Sequence, residues 1–344
     1  MQRRYLTGSA VLAASLLLVA ACGDDDSETS TESSAPADTA APAAGASGGV
    51  TGKKFVLMQG VKGDPFYISM ECGAKEKAAE LGVELTVQGP DKFDATLQNP
   101  MLDSVASSKP DALLVAPNDV IASASPIKKI QDAGTTVVLV DTVVDDPSVG
   151  VSRIATDNKL GGVKAAEALN GLVPEGGKVL VISTDPGVSS VDARIEGFNE
   201  AVTTEFTTLT LAGDTQYSHN SPQTAASVIQ AELQRNPDLV GVFATNLFTA
   251  QGVATGVRAA GKGDQVKVVG FDAGPDQIKQ LEAGDVQALV AQKPYDIGVQ
   301  GVEQAANALE GKPVTASIET ESLIVTKDNM ADPDVAKYIY KDSC

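Results

Sequence analysis

The chain has 344 residues, a formal net charge of −19, 43% apolar but only 4% aromatic residues, and no tryptophan. That length allows two domains of ordinary size, each with its own core. The acidic balance excludes the Lys/Arg clusters that displace counterions from nucleic-acid phosphates. A single histidine, His219, rules out an HExxH zinc site and leaves one candidate base for a Ser-His-Asp triad.

The chain opens on MQRRYLTGSAVLAASLLLVAACGDDD. Arg3 and Arg4 form a basic start, residues 9–21 an apolar stretch short for a membrane span, and Val19-Ala20-Ala21-Cys22 a run of small residues before a cysteine. This is the layout of an export signal, and Cys22 has the setting of a bacterial lipobox. The expectation is a lipoprotein signal peptide over 1–21, cleaved before a lipidated Cys22. Residues 22–52 are rich in Ser, Thr, Ala, Pro and Gly with no apolar period. They read as a disordered tether, because such a segment buries too little surface to fold; as a flexible chain it reaches on the order of 30 Å. Gly45-Ala46-Ser47-Gly48-Gly49 fits the GxSxG pattern but lacks the strand before and helix after that a nucleophile elbow requires.

From Lys53 onward short apolar runs alternate with amphipathic segments. Strands are expected at 54–59, 83–88, 112–117, 136–141, 178–184, 208–213, 240–245, 266–272 and 288–292. Helices are expected at 66–81, 119–133, 159–172, 190–204, 223–235, 248–260 and 294–310. This alternation predicts βαβ units and parallel sheets. In the first helix Asp64 reads as N-cap, Pro65 as N1 and Gly82 as the C-terminal stop.

The chain also repeats itself. Residues 109–141 and 236–272 each begin with Pro-Asp, rise through a strand to an asparagine (Asn118, Asn246), cross a helix ending at glycine, and climb a second strand to an aspartate (Asp141, Asp272). Two similar αβ lobes follow. In open parallel sheets ligands bind beyond the carboxyl ends of strands, where these four residues fall. Lining a cleft is one reading of the aspartates; capping a turn or helix is the other.

GDPFYISMECGAKEKAAELG, ATDNKLGG, ARIEGF, NPDLVGVFATN, VVGFDAGPD and VAQKPYDIG occur in this order. Together they resemble the ribose-type solute-binding proteins of bacterial ABC importers, from about Lys53 to about Lys327. The resemblance implies an α/β fold of the type I periplasmic-binding-protein kind, with two Rossmann-like lobes of parallel sheet joined by a three-strand hinge. It divides the chain into a first lobe of 53–155 plus 293–321 and a second of 156–292 plus 322–344. It implies a monomeric binding protein rather than an enzyme, without cofactor or metal, holding a sugar between the lobes and docking on permease subunits.

The ligand-binding residues so implied are Asp64, Phe66, Tyr67, Asp141, Arg194, Asn246, Asp272 and Gln292. Aromatic faces at Phe66 or Tyr67 suit the C–H face of a sugar ring. A carboxylate accepts from adjacent hydroxyls, the Arg194 guanidinium donates to them, and the amides of Asn246 and Gln292 do both. The alternatives are a core role for Phe66 beside Met70 and a surface ion pair for Arg194. Three positions depart from the ribose pattern: Asp64 stands for asparagine, Thr142 for arginine, and Asn220 near a second aromatic wall. Three carboxylates against one arginine disfavour phosphorylated or carboxylated ligands, so the expected ligand is a neutral monosaccharide or sugar alcohol. The expected location is outside the cytoplasm, lipid-anchored to the membrane or periplasmic. A sensory receptor for a sugar is the alternative function, and a carbohydrate-active enzyme a further one. Outside the cell Cys72 and Cys344 can form a disulfide; two unpaired thiols is the other reading.

Overall fold

The computed structural model describes residues 49–344. The expected signal peptide, Cys22 and most of the expected tether lie outside the described residues. In chain order β1 (Lys54–Met58), α1 (Pro65–Leu81), β2 (Glu84–Gln88), α2 (Ala95–Ser108), β3 (Ala112–Val115), α3 (Ala124–Asp132), β4 (Thr136–Val140) and β5 (Ser152–Thr156) build a first unit. Then α4 (Asn158–Leu172), β6 (Gly177–Ser183), α5 (Ser189–Thr204), β7 (Leu209–Leu211), β8 (Gln216–Tyr217), α6 (Pro222–Arg235), β9 (Leu239–Ala244), α7 (Leu247–Ala259), β10 (Lys267–Phe271), α8 (Pro275–Ala283) and β11 (Ala288–Ala291) build a second. The chain returns through α9 (Pro294–Leu309) and β12 (Ser317–Thr320), and ends with β13 (Leu323–Val325) and α10 (Pro333–Ala336).

One sheet has the order β12-β5-β4-β3-β1-β2, all parallel. The other runs β13-β11-β10-β9-β6-β7, with β8 also on β6, parallel except for β13 against β11. The central strands β3 and β4 are Ala/Val/Leu runs buried on both faces, as parallel strands with helices on each side must be. The chain passes between the sheets three times: after Thr156, after Ala291 and after Thr320. This is an α/β two-lobe fold with two parallel sheets.

All nine expected strands are present, seven of them somewhat shorter than the apolar run that announced them and two, β6 and β9, of equal length but starting one residue earlier. Four others were not legible. β5 buries only alternate residues around one large aliphatic, Ile154, and β8, β12 and β13 have four residues or fewer. The helix expected at 119–133 begins only at Ala124, because Asp119 Oδ1 accepts from the amides of Ile121 and Ala122 and holds a turn there. α2 carries Pro100 in its interior and is started by Asp94, whose side chain accepts from Thr96 N–H. The tether boundary also moves. Val50 is buried, Lys53 N–H bonds to Val50 O at 2.9 Å and Gly52 N–H to Gly82 O at 2.7 Å, so the ordered body includes the last residues assigned to the tether. The chain's final residues do not stay with the second lobe: a disulfide joins Cys344 to Cys72 of α1, and Lys341 N–H donates to Ser69 Oγ at 2.7 Å.

The helices approach closely through glycine. A Cβ on Gly298 of α9 would lie 1.9 Å from Met70 O, and one on Gly73 of α1 would lie 2.1 Å from Tyr295 O. Since backbone cannot retreat as a side-chain tip can, Gly298→Ala should destabilise the protein by about 1–3 kcal/mol despite alanine's better helix propensity. Gly171→Ala, at a helical site with open space around the new carbon, should instead gain about 0.5–1 kcal/mol. Urea unfolding of the two variants beside the parent chain checks both signs.

Candidate ligand-binding site

β4 and β10 occupy equivalent places in the two sheets, and each ends in the same way. Asp141 and Asp272 follow the last strand residue with φ of 66° and 77°, a left-handed conformation that costs energy outside glycine and is kept where the surroundings enforce it. The Asp141 amide is held by Ile154 O and the Asp272 amide by Val290 O, both at 2.8 Å. Each carboxylate is thereby turned out of its sheet toward the space between the lobes.

A cavity of about 420 Å³, counting its mouth, lies there, lined by Asp64, Phe66, Tyr67, Phe93, Asp141, Thr184, Val188, Ser190, Val191, Arg194, Asn220, Asn246, Asp272 and Gln292. All eight expected residues are among them. Asp64 caps α1, its Oδ1 accepting from Phe66 N–H at 2.9 Å. That cap fixes the first turn and with it the Phe66 and Tyr67 rings, which meet edge to face at 5.2 Å. Tyr67 donates to Asp141 Oδ2 at 2.7 Å. From the second lobe, Arg194 Nε donates to Asn158 Oδ1 and Nη1 to Thr245 O, both at 2.8 Å, while the guanidinium lies 3.7 Å from the Phe271 ring centroid. Two of its five N–H groups are thus spent on position, leaving the rest as donors. Asn246 caps α7 and donates to Asn220 Oδ1 at 2.7 Å. Asp272 Oδ2 accepts from Leu247 N–H at 2.9 Å, and Gln292, at the second crossing, donates to Asp272 Oδ1 at 2.6 Å. The aspartates cap, turn and line at once, so the two readings of them coexist.

Arg194 is 3% exposed and is not a surface residue. Asn118 lies apart from the inner cavity: its Nδ2 donates to Gly60 O at 3.0 Å and it lines the cleft mouth, as does His219, whose Nδ1 is 2.5 Å from Asp185 Oδ1. Thr142 turns away too, its Oγ1 donating to Pro117 O at 2.7 Å. Sequence reasoning missed Phe93, Thr184, Val188, Ser190 and Val191. Phe93 had a signal, a lone ring among charged residues in DKFD; the others follow β6 with no pattern. Phe93 adds a third aromatic ring to the cavity beside Phe66 and Tyr67, and among the described residues the buried Thr184 Oγ1 has no hydrogen-bond partner.

Burial governs the electrostatics. It raises the Asp64 carboxyl from 3.8 to about 8, helped by nearby Asp272. It raises Asp141 from 3.8 to about 6 against the opposing Tyr67 hydrogen bond and Arg194 charge. Burial also lowers Arg194 and raises Tyr67 well above its ordinary value, Tyr67 being further raised by Asp141.

The Periplasmic binding protein domain model matches residues 55–313. The chain belongs to the periplasmic binding protein family. Among its relatives, the ribose import binding protein RbsB of Escherichia coli (strain K12) is 32% identical over 277 residues, 79% of this chain and 90% of that protein. The D-allose-binding periplasmic protein of the same organism is 30% identical over 253 residues, 71% of this chain and 81% of that protein. Among solved structures, an ABC transporter solute-binding protein from Agrobacterium vitis, bound with alpha-D-tagatopyranose, superposes with a TM-score of 0.82 at 38% identity, covering 84% of this chain and 99% of that one. A carbohydrate transporter solute-binding protein from Agrobacterium radiobacter, in complex with D-arabinose, gives 0.80 at 28% identity, covering 84% and 99%. This family member is a binding protein and not an enzyme.

The raised carboxyls set a pH signature. Both fold with pKa values above the unfolded 3.8, so the native state holds protons that the unfolded chain has released. The stability they contribute is full near pH 4 and is lost as pH rises through about 6 for Asp141 and about 8 for Asp64. Unfolding free energy measured from pH 4 to 9 should therefore fall less in Asp64→Asn and Asp141→Asn than in the wild type. Parallel curves would contradict the assignment.

Proposed function

We propose that the chain is the extracytoplasmic solute-binding component of an ABC importer that takes a neutral monosaccharide or sugar alcohol in the interlobe cavity and delivers it to the permease by lobe closure. The observation that carries this is a cavity in which three carboxylates, one arginine, three amides and two phenylalanine rings converge from both lobes. Carboxylates accept from hydroxyls, Arg194 and the amides supply the complementary donors, and Phe66 and Phe93 offer flat apolar walls. Asp64 is largely protonated at neutral pH, but Asp141 and Asp272 still face a single guanidinium, which leaves no spare positive charge for an anionic ligand. The names of its relatives, which bind ribose, allose, tagatose and arabinose, support the same class.

Closure follows from the division of these groups. Asp64, Phe66, Tyr67 and Asp141 belong to the first lobe, Arg194, Asn246 and Asp272 to the second, and Gln292 to the crossing between them. A ligand seated on one lobe gains the other set only when the cleft shuts, and that difference in affinity favours the closed form. The lobes meet across the cleft through Val120 N–H to Gly187 O at 3.0 Å and Val143 N–H to Ser189 Oγ at 2.9 Å, contacts that exist only when it is shut. Lipidation of Cys22, with the segment after it as tether, holds the receptor near its permease.

A melting-temperature screen of the full chain against D-ribose, D-allose, D-arabinose, D-tagatose and sugar alcohols, with phosphosugars and amino acids as controls, tests the function. A ligand at 100 times its Kd should stabilise the protein by about 2.7 kcal/mol. A response confined to charged compounds would overturn the neutral-sugar reading. With the ligand found, Asp141→Asn should weaken binding at neutral pH about tenfold or more, the value of one charge-assisted hydrogen bond. The ligand-free variant should be no less stable than the wild type, since a buried charge has been removed. Calorimetric titration and unfolding of the same sample check the opposite signs.

A further inference from the structure

Beyond β13 the chain does not end where the second sheet ends. The Thr326 amide donates to Asn329 Oδ1 at 2.7 Å, α10 makes one turn, and the backbone then crosses the hinge to the first lobe. Along that path Tyr340 N–H donates to Ala273 O at 3.0 Å. Its ring is 5% exposed and meets Phe66 edge-on at 5.8 Å. Its hydroxyl donates to Asp272 Oδ1 at 2.8 Å and accepts from Gln292 N–H at 3.1 Å. One residue further, Lys341 binds Ser69, and Cys344 is bonded to Cys72. The segment touches the second lobe, the hinge and the first lobe in turn, and a covalent bond closes it.

We propose that Tyr340, carried to the hinge by residues 326–344 and held there by the Cys72–Cys344 disulfide, is a positioning residue for Asp272 and Gln292. Tyr340 does not line the cavity, so it acts through these two. Asp272 Oδ1 accepts from both Tyr340 and Gln292 Nε2, and Oδ2 from Leu247 N–H. Of the roughly four acceptor positions of a carboxylate, three are occupied by fixed donors, which leaves a single direction for a ligand hydroxyl. The backbone of Gln292 is pinned by the same phenol whose carboxylate partner its side chain binds, so the tyrosine, the amide and the carboxylate close a ring of hydrogen bonds at the hinge. The arrangement has a counterpart across the cleft, where Tyr67 holds Asp141 from the first lobe. Each of the two strand-end aspartates is thus braced by a buried tyrosine, but Tyr340 reaches Asp272 across 68 residues of sequence and stays only while its segment is tied down. The disulfide to α1 supplies that tie, a constraint that lowers the freedom of the segment to peel away.

This inference rests on the sugar-binding reading of the cavity, and the test separates the two. The full chain, Tyr340→Phe, Cys344→Ser, the double variant and Tyr338→Phe are titrated with whichever of D-ribose, D-allose, D-arabinose or D-tagatose most stabilises the wild type. Exchange of the Gln292 amide hydrogen is followed in the same proteins without sugar. Tyr340→Phe keeps the ring and its burial and removes only the hydroxyl. It should lose about tenfold in affinity and expose the Gln292 amide to faster exchange, with the ligand-free melting temperature little changed. Cys344→Ser should lose less, and the double variant no more than Tyr340→Phe alone, because both act through one contact. Tyr338→Phe should bind as the wild type. A merely structural plug predicts wild-type affinity and unchanged Gln292 exchange in Tyr340→Phe, and that result overturns the proposal. If the wild type responds to none of the sugars, the cavity reading fails, and Gln292 exchange alone decides for or against the Tyr340 brace.

Discussion

The structure turns on the burial of like charges where two lobes meet. Asp64, Asp141 and Asp272 share a cavity with one arginine, and burial opposes the ionisation of the first two strongly enough to move Asp64 to about 8 and Asp141 to about 6. Such a constellation persists only if each carboxylate has fixed donors and the surrounding fold enforces its place. The donors here are Phe66 N–H, the Tyr67 hydroxyl, Leu247 N–H, Gln292 Nε2 and the Tyr340 hydroxyl. The enforcement is the left-handed turn after β4 and again after β10. Stability is given up at this point so that acceptors face a ligand rather than water.

The rest of the architecture holds that arrangement in place. The glycine contacts between α1 and α9 bring the helices to backbone distance, so the α1 N-terminus, with Asp64, Phe66 and Tyr67, is packed firmly into the first lobe. Arg194 is fixed by Asn158, Thr245 and Phe271, all of the second lobe. Most of the groups of each lobe are therefore positioned within that lobe, so the proposed closure would bring together two largely preformed half-sites. Gln292 stands at a crossing, where its amide binds Asp272 and its oxygen accepts from Thr156 of the first sheet at 2.6 Å; it reads both lobes at once.

The family sequence pattern carried most of the site because the residues concerned are tied to punctuation. Asp64 precedes Pro65 at a helix start, Asp141 and Asp272 end valine-rich strands, and Asn246 begins a helix. Each is a short polar residue at a boundary that apolar periodicity already marks. Thr184, Val188, Ser190 and Val191 sit at no such boundary signal, and Phe93 stood in a polar loop. Thr184 and Val188 reach the cavity through the loop after β6, Ser190 and Val191 through the first turn of α5, and Phe93 through the loop after β2. The departures at Thr142 and Asn220 also needed the structure: Thr142 points at Pro117, and the missing aromatic wall is answered by Phe93 from another element.

What the sequence by itself determined is the set of local elements and their repetition: nine strands, seven of the helices between them (α2 and α8 were not expected), two equivalent strand-helix-strand units, and the polar residues at their ends. These depend on neighbours a few positions apart, and periodicity and capping report them directly. Only the tertiary structure decided which of those ends face one another. The start of α3 was delayed by a side-chain turn at Asp119, the ordered body was extended to Val50 by its contact with the end of α1, and the segment 326–344 was carried back to α1. That last step brings Tyr340 to Asp272 and Cys344 to Cys72 over 68 and 272 residues. Contacts at such separation depend on where two sheets and a hinge place the chain in space, and no local pattern encodes that.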